Sequence, residues 1–297
     1  MRLSTGKGAA LEERTRHLVS TRLSAVAARF AKAVPADLLV PGKMLRTRLA
    51  ARLAGCSASP PAAPVLENLC GATEIIHTAS LCHDDLIDNA QMRRGRPSLW
   101  RTVGVPGALL MGDLLFCDAI DLVLHTEGGR HLPAFMAKVA EVVQAEAEQE
   151  LLFREKGLPE AACLRLARGK TGPLFAFVSC LCGGRDDGLR RALEMAGYDV
   201  GTAYQLADDL LDVLGDEQDV GKTLRTDGLR GKITLAQNGV PGRQTARDHV
   251  RRLCASALDR LRFFPEAHEG LAAFLECDFQ PALSRLDRNL SAERITP

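Results

Sequence analysis

Aromatic side chains are scarce in this sequence: one Trp, two Tyr and ten Phe make up 4% of 297 residues. That leaves little with which to stack bases or carbohydrate rings. Net charge is almost absent too, a formal +1 from 38 Lys and Arg against 37 Asp and Glu. Such a balance offers no broad field to a nucleic acid, so any basic site must be local. No uninterrupted apolar run reaches the roughly 20 residues that a membrane-spanning helix needs. The first 22 residues are too polar for a signal-peptide core. Paired cysteine spacing is missing as well: nine cysteines are scattered, only Cys180 and Cys182 lie close together, and no second pair or histidine stands at zinc spacing. They read as reduced core thiols, and with no leader or span the expected location is cytoplasmic.

What is present is an Ala- and Leu-rich chain, 46% apolar and 25% charged, with few β-branched runs and few hairpin signals. The expected class is all-α. Helical patterning covers 9–34, 43–56, 64–90, 106–126, 130–156, 159–182, 186–214, 243–263 and 267–289. Turn chemistry separates these stretches at Ser57-Ala58-Ser59-Pro60-Pro61, Arg94-Gly95-Arg96-Pro97, Gly128-Gly129 and Gly183-Gly184. Nothing reads as an interdomain linker or a solenoid repeat, so residues 1–297 are taken as one helical domain. The longest non-helical stretch, from about 216 to 242, is rich in Gly, Lys and Asp. A charged loop of that length inside a helical domain is more often functional than idle.

The one internal echo is acidic. Asp84, Asp85 and Asp88 recur in spacing as Asp208, Asp209 and Asp212. On a helix the first and third of each triplet stack one turn apart, with the second beside them. A solvated acidic face would explain one triplet, but two in one chain are improbable by chance. Both also sit among apolar neighbours, Leu81, Leu86 and Ile87 in one case, Leu206, Leu210 and Leu211 in the other. Carboxylates crowded on a partly apolar helix repel and call for a cation. An all-oxygen set suits Mg²⁺, which typically joins one or two carboxylates to a substrate phosphate. Two opposed clusters would grip a diphosphate as a leaving group.

Cations for such a site occur in short constellations: Lys43 and Arg46, Arg93 and Arg94, Lys170 with Thr171, Lys222, and Lys232. Each alone is more often a solvated turn or helix start than a binding group. Together they exceed what one diphosphate requires, which points to two. His77, seven residues before Asp84, lies on the same helical face. Gly-Lys-Thr occurs at 169–171 and at 221–223, but the P-loop glycine five residues earlier is replaced by Leu164 and Asp216, and no strand precedes either.

The stretch from Glu74-Ile75-Ile76-His77 to Asp88, with Met92-Arg93-Arg94-Gly95-Arg96-Pro97-Ser98, closely resembles the first aspartate-rich motif of the trans-isoprenyl diphosphate (polyprenyl) synthases. Tyr204-Gln205-Leu206-Ala207-Asp208 to Asp212, with Gly215-Asp216, Gly221-Lys222 and Gly231-Lys232, resembles the second, and the likeness spans about residues 38–236. It implies a helical bundle around a central cavity, the isoprenoid synthase fold, and a homodimer with no nucleic-acid partner or membrane span. By position, Asp84, Asp85, Asp88, Asp208 and Asp212 would ligate Mg²⁺, three ions per site and replaceable by Mn²⁺, with Asp209 close by. Arg93, Lys170, Gln205, Lys222 and Lys232, with Thr171, would hold an allylic diphosphate. Lys43, Arg46, His77 and Arg94 would hold isopentenyl diphosphate. The chemistry implied is ionisation of the allylic diphosphate, attack by the isopentenyl double bond and loss of a proton.

Ser80 lies one turn before Asp84, and the growing tail would run down that helix. Small residues at Ala79 and Ser80 leave the way open, so a product of C20 or longer is expected, with a farnesyl-length product as the alternative. The chain also departs from the family pattern. Thr47 stands at a usual proline, Pro41 at a glycine, Trp100 at an asparagine, Arg225 at a common glycine and Leu235-Ala236 at Leu-Pro. One or two helices expected after Ala236 have no counterpart, so the C-terminal third reads as shortened. A terpene cyclase would leave the second cation set without a purpose, and head-to-head synthases usually lack the Gly-Lys loop. A regulatory subunit of a heteromeric prenyltransferase would typically have lost aspartates, whereas all six are here.

Overall fold

The computed structural model describes residues 4–35, 37–153, 157–214, 234–237 and 239–279. Among them are nine α-helices: α1 (Ser4–Ala28), α2 (Leu45–Leu53), α3 (Ala63–Ile87), α4 (Leu99–Leu124), α5 (Leu132–Leu152), α6 (Glu160–Cys182), α7 (Asp187–Leu214), α8 (Gly239–Arg260) and α9 (Pro265–Phe274). The all-α expectation holds, and each patterned stretch contains a helix. The expected stretch 267–289 is helical through Phe274, then continues as a π-helical turn to Phe279, and its remainder lies outside the described residues. So do Lys222, Lys232 and most of the expected loop. α8 begins at Gly239, four residues before the patterning predicts, directly behind a 3-10 turn at Leu235–Gln237.

Two local features escape the apolar pattern. α4 starts at Leu99 rather than 106 because two helical pieces run end to end across Gly104, whose φ of 77° and ψ of 167° are available to glycine, with Pro106 beginning the second piece. The turn before it is a two-residue hairpin, β1 (Met92–Arg93) against β2 (Arg96–Pro97). Its central residues Arg94 and Gly95 both take positive φ, 54° and 74°, the backbone of a type I′ turn.

The core is built on α3, α6 and α7. α6 packs along α7, α3 along α4, and α8 covers the other side of α7. α1 lies across α2 and α3, and α2 is wedged between α1, α6 and α9. Leu189, Leu193, Ala196, Val200, Ala203, Leu206 and Leu210 form the buried stripe of α7 at helical spacing. Each fully buried leucine there stabilises the fold by about 1.5–3 kcal/mol. α6 and α7 approach so closely that a Cβ on Gly201 would sit 2.7 Å from the Cα of Gly172 and 2.8 Å from the carbonyl oxygen of Thr171. That approach sets the walls of the site described next. No helix among the described residues is long and apolar enough to cross a membrane.

Candidate active site

α3 ends in the first acidic cluster. Asp84 and Asp88 are half-buried, and Asp85 is 3% exposed. Asp88 caps the helix, its backbone N–H donating to the carbonyl of Asp84 at 2.6 Å. The second cluster sits in the last two turns of α7, with Asp208 and Asp209 half-buried and Asp212 5% exposed. All six carboxylates line one cavity of about 1120 Å³, and the same walls carry Lys43, Arg46, His77, Ser80, Arg93, Arg94, Lys170, Thr171 and Gln205. Thus every predicted site residue among the described ones, except Ala79, faces one space. Ala79 is fully enclosed in the core, because one residue along a helix turns the side chain by about 100° away from Ser80.

The hairpin parcels out its two arginines. Arg93 Nε donates to Asp85 Oδ1 at 2.9 Å, and its Nη2 donates to the same oxygen. Burial pushes the Asp85 carboxyl above its usual range despite the Arg93 hydrogen bond. Burial also pulls the Arg93 guanidinium down, but Asp85, Asp208 and Asp84 outweigh it and leave Arg93 above its ordinary value. One arginine therefore feels carboxylates from both clusters. Arg94 turns the other way: its Nη1 donates to the carbonyl of Val40, and its guanidinium lies against Gly42.

Arg94 thereby joins Lys43, Arg46 and His77 at the α2 side of the cavity. Arg46 is 7% exposed and lies 5.1 Å over the Phe175 ring. Burial lowers the affinity of Arg46 for its proton, and the charge of Glu74 opposes that shift. Burial, then Arg46, Arg94 and Arg93, hold the His77 imidazole well below its usual pKa, so it is neutral at physiological pH. A neutral imidazole can still donate one N–H to an anion.

The α6–α7 wall is organised by a side-chain hydrogen-bond relay and an ion pair to α5. Thr171 Oγ1 donates to Gln205 Oε1 at 2.5 Å, and Gln205 Nε2 donates to Asp209 Oδ1 at 2.8 Å. Lys170 Nζ lies 2.8 Å from Glu146 Oε2 of α5. Glu146 and Glu74 are cavity-lining residues that motif reading passes over, and Thr47, buried behind the lining, hydrogen-bonds to Glu74. Glu74 was legible in principle, since it precedes His77 by three and so shares its face.

Among the described residues no three His, Cys, Asp or Glu side chains converge closely enough to hold an ion by themselves. The donor set is nonetheless all carboxylate oxygen on two facing elements. That chemistry fits Mg²⁺ completed by water and substrate phosphate oxygens.

A helical bundle with two aspartate-bearing helices and clustered cations around one cavity is the isoprenoid synthase fold. A solved polyprenyl synthase from Caulobacter crescentus, complexed with calcium and isoprenyl diphosphate, matches with a TM-score of 0.73 at 26% identity, over 90% of this chain and 94% of that one. The chain belongs to the polyprenyl synthetase family, whose model matches residues 29–254. An all-trans-nonaprenyl-diphosphate synthase (geranyl-diphosphate specific) from Rhodobacter capsulatus is 32% identical over 197 residues, 64% of this chain and 60% of that protein. A short chain isoprenyl diphosphate synthase from Methanothermobacter thermautotrophicus is 29% identical over 231 residues, 75% of this chain and 71% of that protein. The chain thus spans less than two thirds of the first relative's length and somewhat more of the second's.

Proposed function

We propose that the chain joins isopentenyl diphosphate to an allylic diphosphate head to tail, releasing pyrophosphate and giving an all-trans prenyl diphosphate of C20 or longer. The observation that carries this reading is one cavity holding six aspartates and two differently oriented cation groups, Arg93 with Lys170 and Arg94 with Lys43, Arg46 and His77. Two diphosphates need two cation groups, whereas cyclisation of one needs a single group.

Asp84, Asp85, Asp88, Asp208 and Asp212 would hold Mg²⁺, three ions per site and replaceable by Mn²⁺, with Asp209 beside them. Bound ions of this kind neutralise diphosphate charge and ease its departure. Arg93 and Lys170 bind the allylic diphosphate, with Lys222 and Lys232 as further ligands, and each of the first two must exchange its carboxylate partner for phosphate oxygen. Thr171 and Gln205 line the cavity and complete the allylic diphosphate site, Gln205 being fixed between the Thr171 hydroxyl and Asp209. Lys43, Arg46, His77 and Arg94 bind isopentenyl diphosphate, and His77 contributes a donor without adding charge. Holding both substrates in register supplies much of the acceleration. The proton lost at the end passes to the departing pyrophosphate.

Product length follows from Ser80, which lines the cavity one turn below Asp84 and leaves room for a tail. The relatives named above include both a short chain isoprenyl diphosphate synthase and a nonaprenyl synthase, so family membership by itself does not set the length. On α4, Val105 and Leu109 are exposed one turn apart with Leu110 exposed beside Leu109, an apolar face suited to a second copy in a homodimer. Light scattering should then give twice the monomer mass, and Leu110→Glu should halve it.

The deciding experiment is incubation of the purified chain with labelled isopentenyl diphosphate, Mg²⁺ and each of geranyl, farnesyl and dimethylallyl diphosphate. Label should enter a longer prenyl diphosphate. No incorporation with any primer overturns the proposal.

A further inference from the structure

Glu74 is a carboxylate buried inside the cation group that faces the α2 side of the cavity. A buried carboxylate beside a buried arginine ordinarily forms an ion pair with it. Here it does not: among the described residues no carboxylate lies within ion-pair distance of Arg46, and Arg46 Nε, 93% of the residue being buried, has no hydrogen-bond partner. The reason is on α2. Thr47, fully buried, donates both its backbone N–H and its hydroxyl to Glu74 Oε1, each at 3.1 Å.

That backbone N–H is one of the donors in the first turn of α2 that has no partner within the helix. Met44, at the N-cap, has a left-handed backbone and provides no side-chain cap. Glu74, reaching across from α3, serves as the cap instead, and a carboxylate is well placed at the positive end of a helix. Its oxygen is therefore committed to Thr47, while its charge still acts on Arg46 through space.

We propose that Thr47 and Glu74 are positioning residues for the second diphosphate: by capturing Glu74, Thr47 keeps the Arg46 guanidinium aimed into the cavity rather than quenched by the carboxylate beside it. This rests on the assignment of Arg46 to the isopentenyl diphosphate subsite. A proline at position 47 would bring neither donor, so the device belongs to a chain with threonine there. Removing the hydroxyl halves the hold on Glu74 and lets its carboxylate swing to Arg46. Substituting glutamine at 74 keeps an oxygen for Thr47 to donate to, but the amide cannot form an ion pair.

The test is steady-state kinetics of the full chain with both substrates varied, beside thermal melts of each variant. Thr47→Val should raise KM for isopentenyl diphosphate about tenfold, as expected for losing one buried charge-assisted hydrogen bond. KM for the allylic diphosphate should stay within about twofold, since Arg93 and Lys170 are untouched. Thr47→Ser should restore the wild-type value, and adding Glu74→Gln to Thr47→Val should recover most of the loss. A merely structural role would lower the melting temperature and weaken both substrates alike, with no rescue by Glu74→Gln. Unchanged KM for isopentenyl diphosphate in Thr47→Val, or absence of that rescue, overturns the proposal. Should Thr47→Val not fold, Thr47→Cys, whose thiol is only a weak donor, decides the matter: it should raise KM for isopentenyl diphosphate and adding Glu74→Gln should reverse that rise, whereas no rise or no reversal overturns the proposal. Failure of the enzymatic reading itself shows up separately, as wild-type protein without turnover.

Discussion

The two walls of the cavity solve the same electrostatic problem by different means. On the α3 side charge is met by charge: Asp85 is buried and held by Arg93, with the Arg94 guanidinium acting on it as well. On the α7 side one of the contacts of Asp209 is a neutral amide, Gln205, itself oriented by Thr171. A charged partner in a buried setting is strong but expensive to desolvate, whereas a neutral relay holds geometry with little effect on local potential. Removing Arg93 should therefore be felt as a change of charge, and removing Gln205 as a change of shape.

The most severe break is loss of the carboxylates themselves. Asp84→Ala and Asp208→Ala should each reduce turnover by on the order of 10²–10³-fold or more, measured as initial rates of label incorporation, and chelation should abolish it until Mg²⁺ is returned. A large loss in one variant and a small one in the other would show that the walls do not share the diphosphate. Next comes the contrast in stability. Arg93→Gln leaves Asp85 buried without its charge partner and should cost about 2–3 kcal/mol in denaturant unfolding, against about 1 kcal/mol for Gln205→Leu. Equal costs would erase the distinction drawn here. Of similar size but opposite meaning is the pair at the floor of the α3 wall. Ser80→Phe should shorten the product by chromatography with stability kept. Ala79→Phe, forced into a closed core, should cost about 1–3 kcal/mol of stability.

The smallest effect is the pH response of His77. Its folded pKa lies below the ordinary 6.5, so the unfolded chain binds the extra proton more readily. Its contribution to stability is complete above that ordinary value and is lost as pH falls through and below it. Denaturant midpoints between pH 7 and pH 5 should fall, and His77→Gln should flatten part of that slope. An unchanged slope would mean that burial, with Arg46, Arg94 and Arg93 nearby, does not hold the ring neutral as described.

Much of this architecture can be read from the chain alone. The helical stretches follow from apolar spacing, and both aspartate clusters from their i, i+1, i+4 repeat, because these signals are local. What could not be read depends on contacts between distant segments. Nothing in a run of residues shows that Thr47 meets Glu74, that Lys170 meets Glu146, or that Gly172 and Gly201 let α6 and α7 close upon each other. Ala79 and Ser80 are indistinguishable as small residues beside a motif, and only the phase of α3 in the bundle separates a core side chain from a cavity-lining one. The start of α4 is not legible from the pattern because glycine and proline, which usually end helices, here mark a kink between two consecutive helical pieces.

The contact of Arg16 with the carbonyl of Gly42 has a practical side. α1 is a structural wall of the pocket, with Glu12 and Arg16 facing it and Glu12 also holding Arg48. Trimming this helix for crystallisation, or fusing a rigid reporter to its first turn, disturbs a loop that carries Lys43. The outer face of α8, where Arg251 and Arg252 are exposed, is the safer place for a label or an affinity handle.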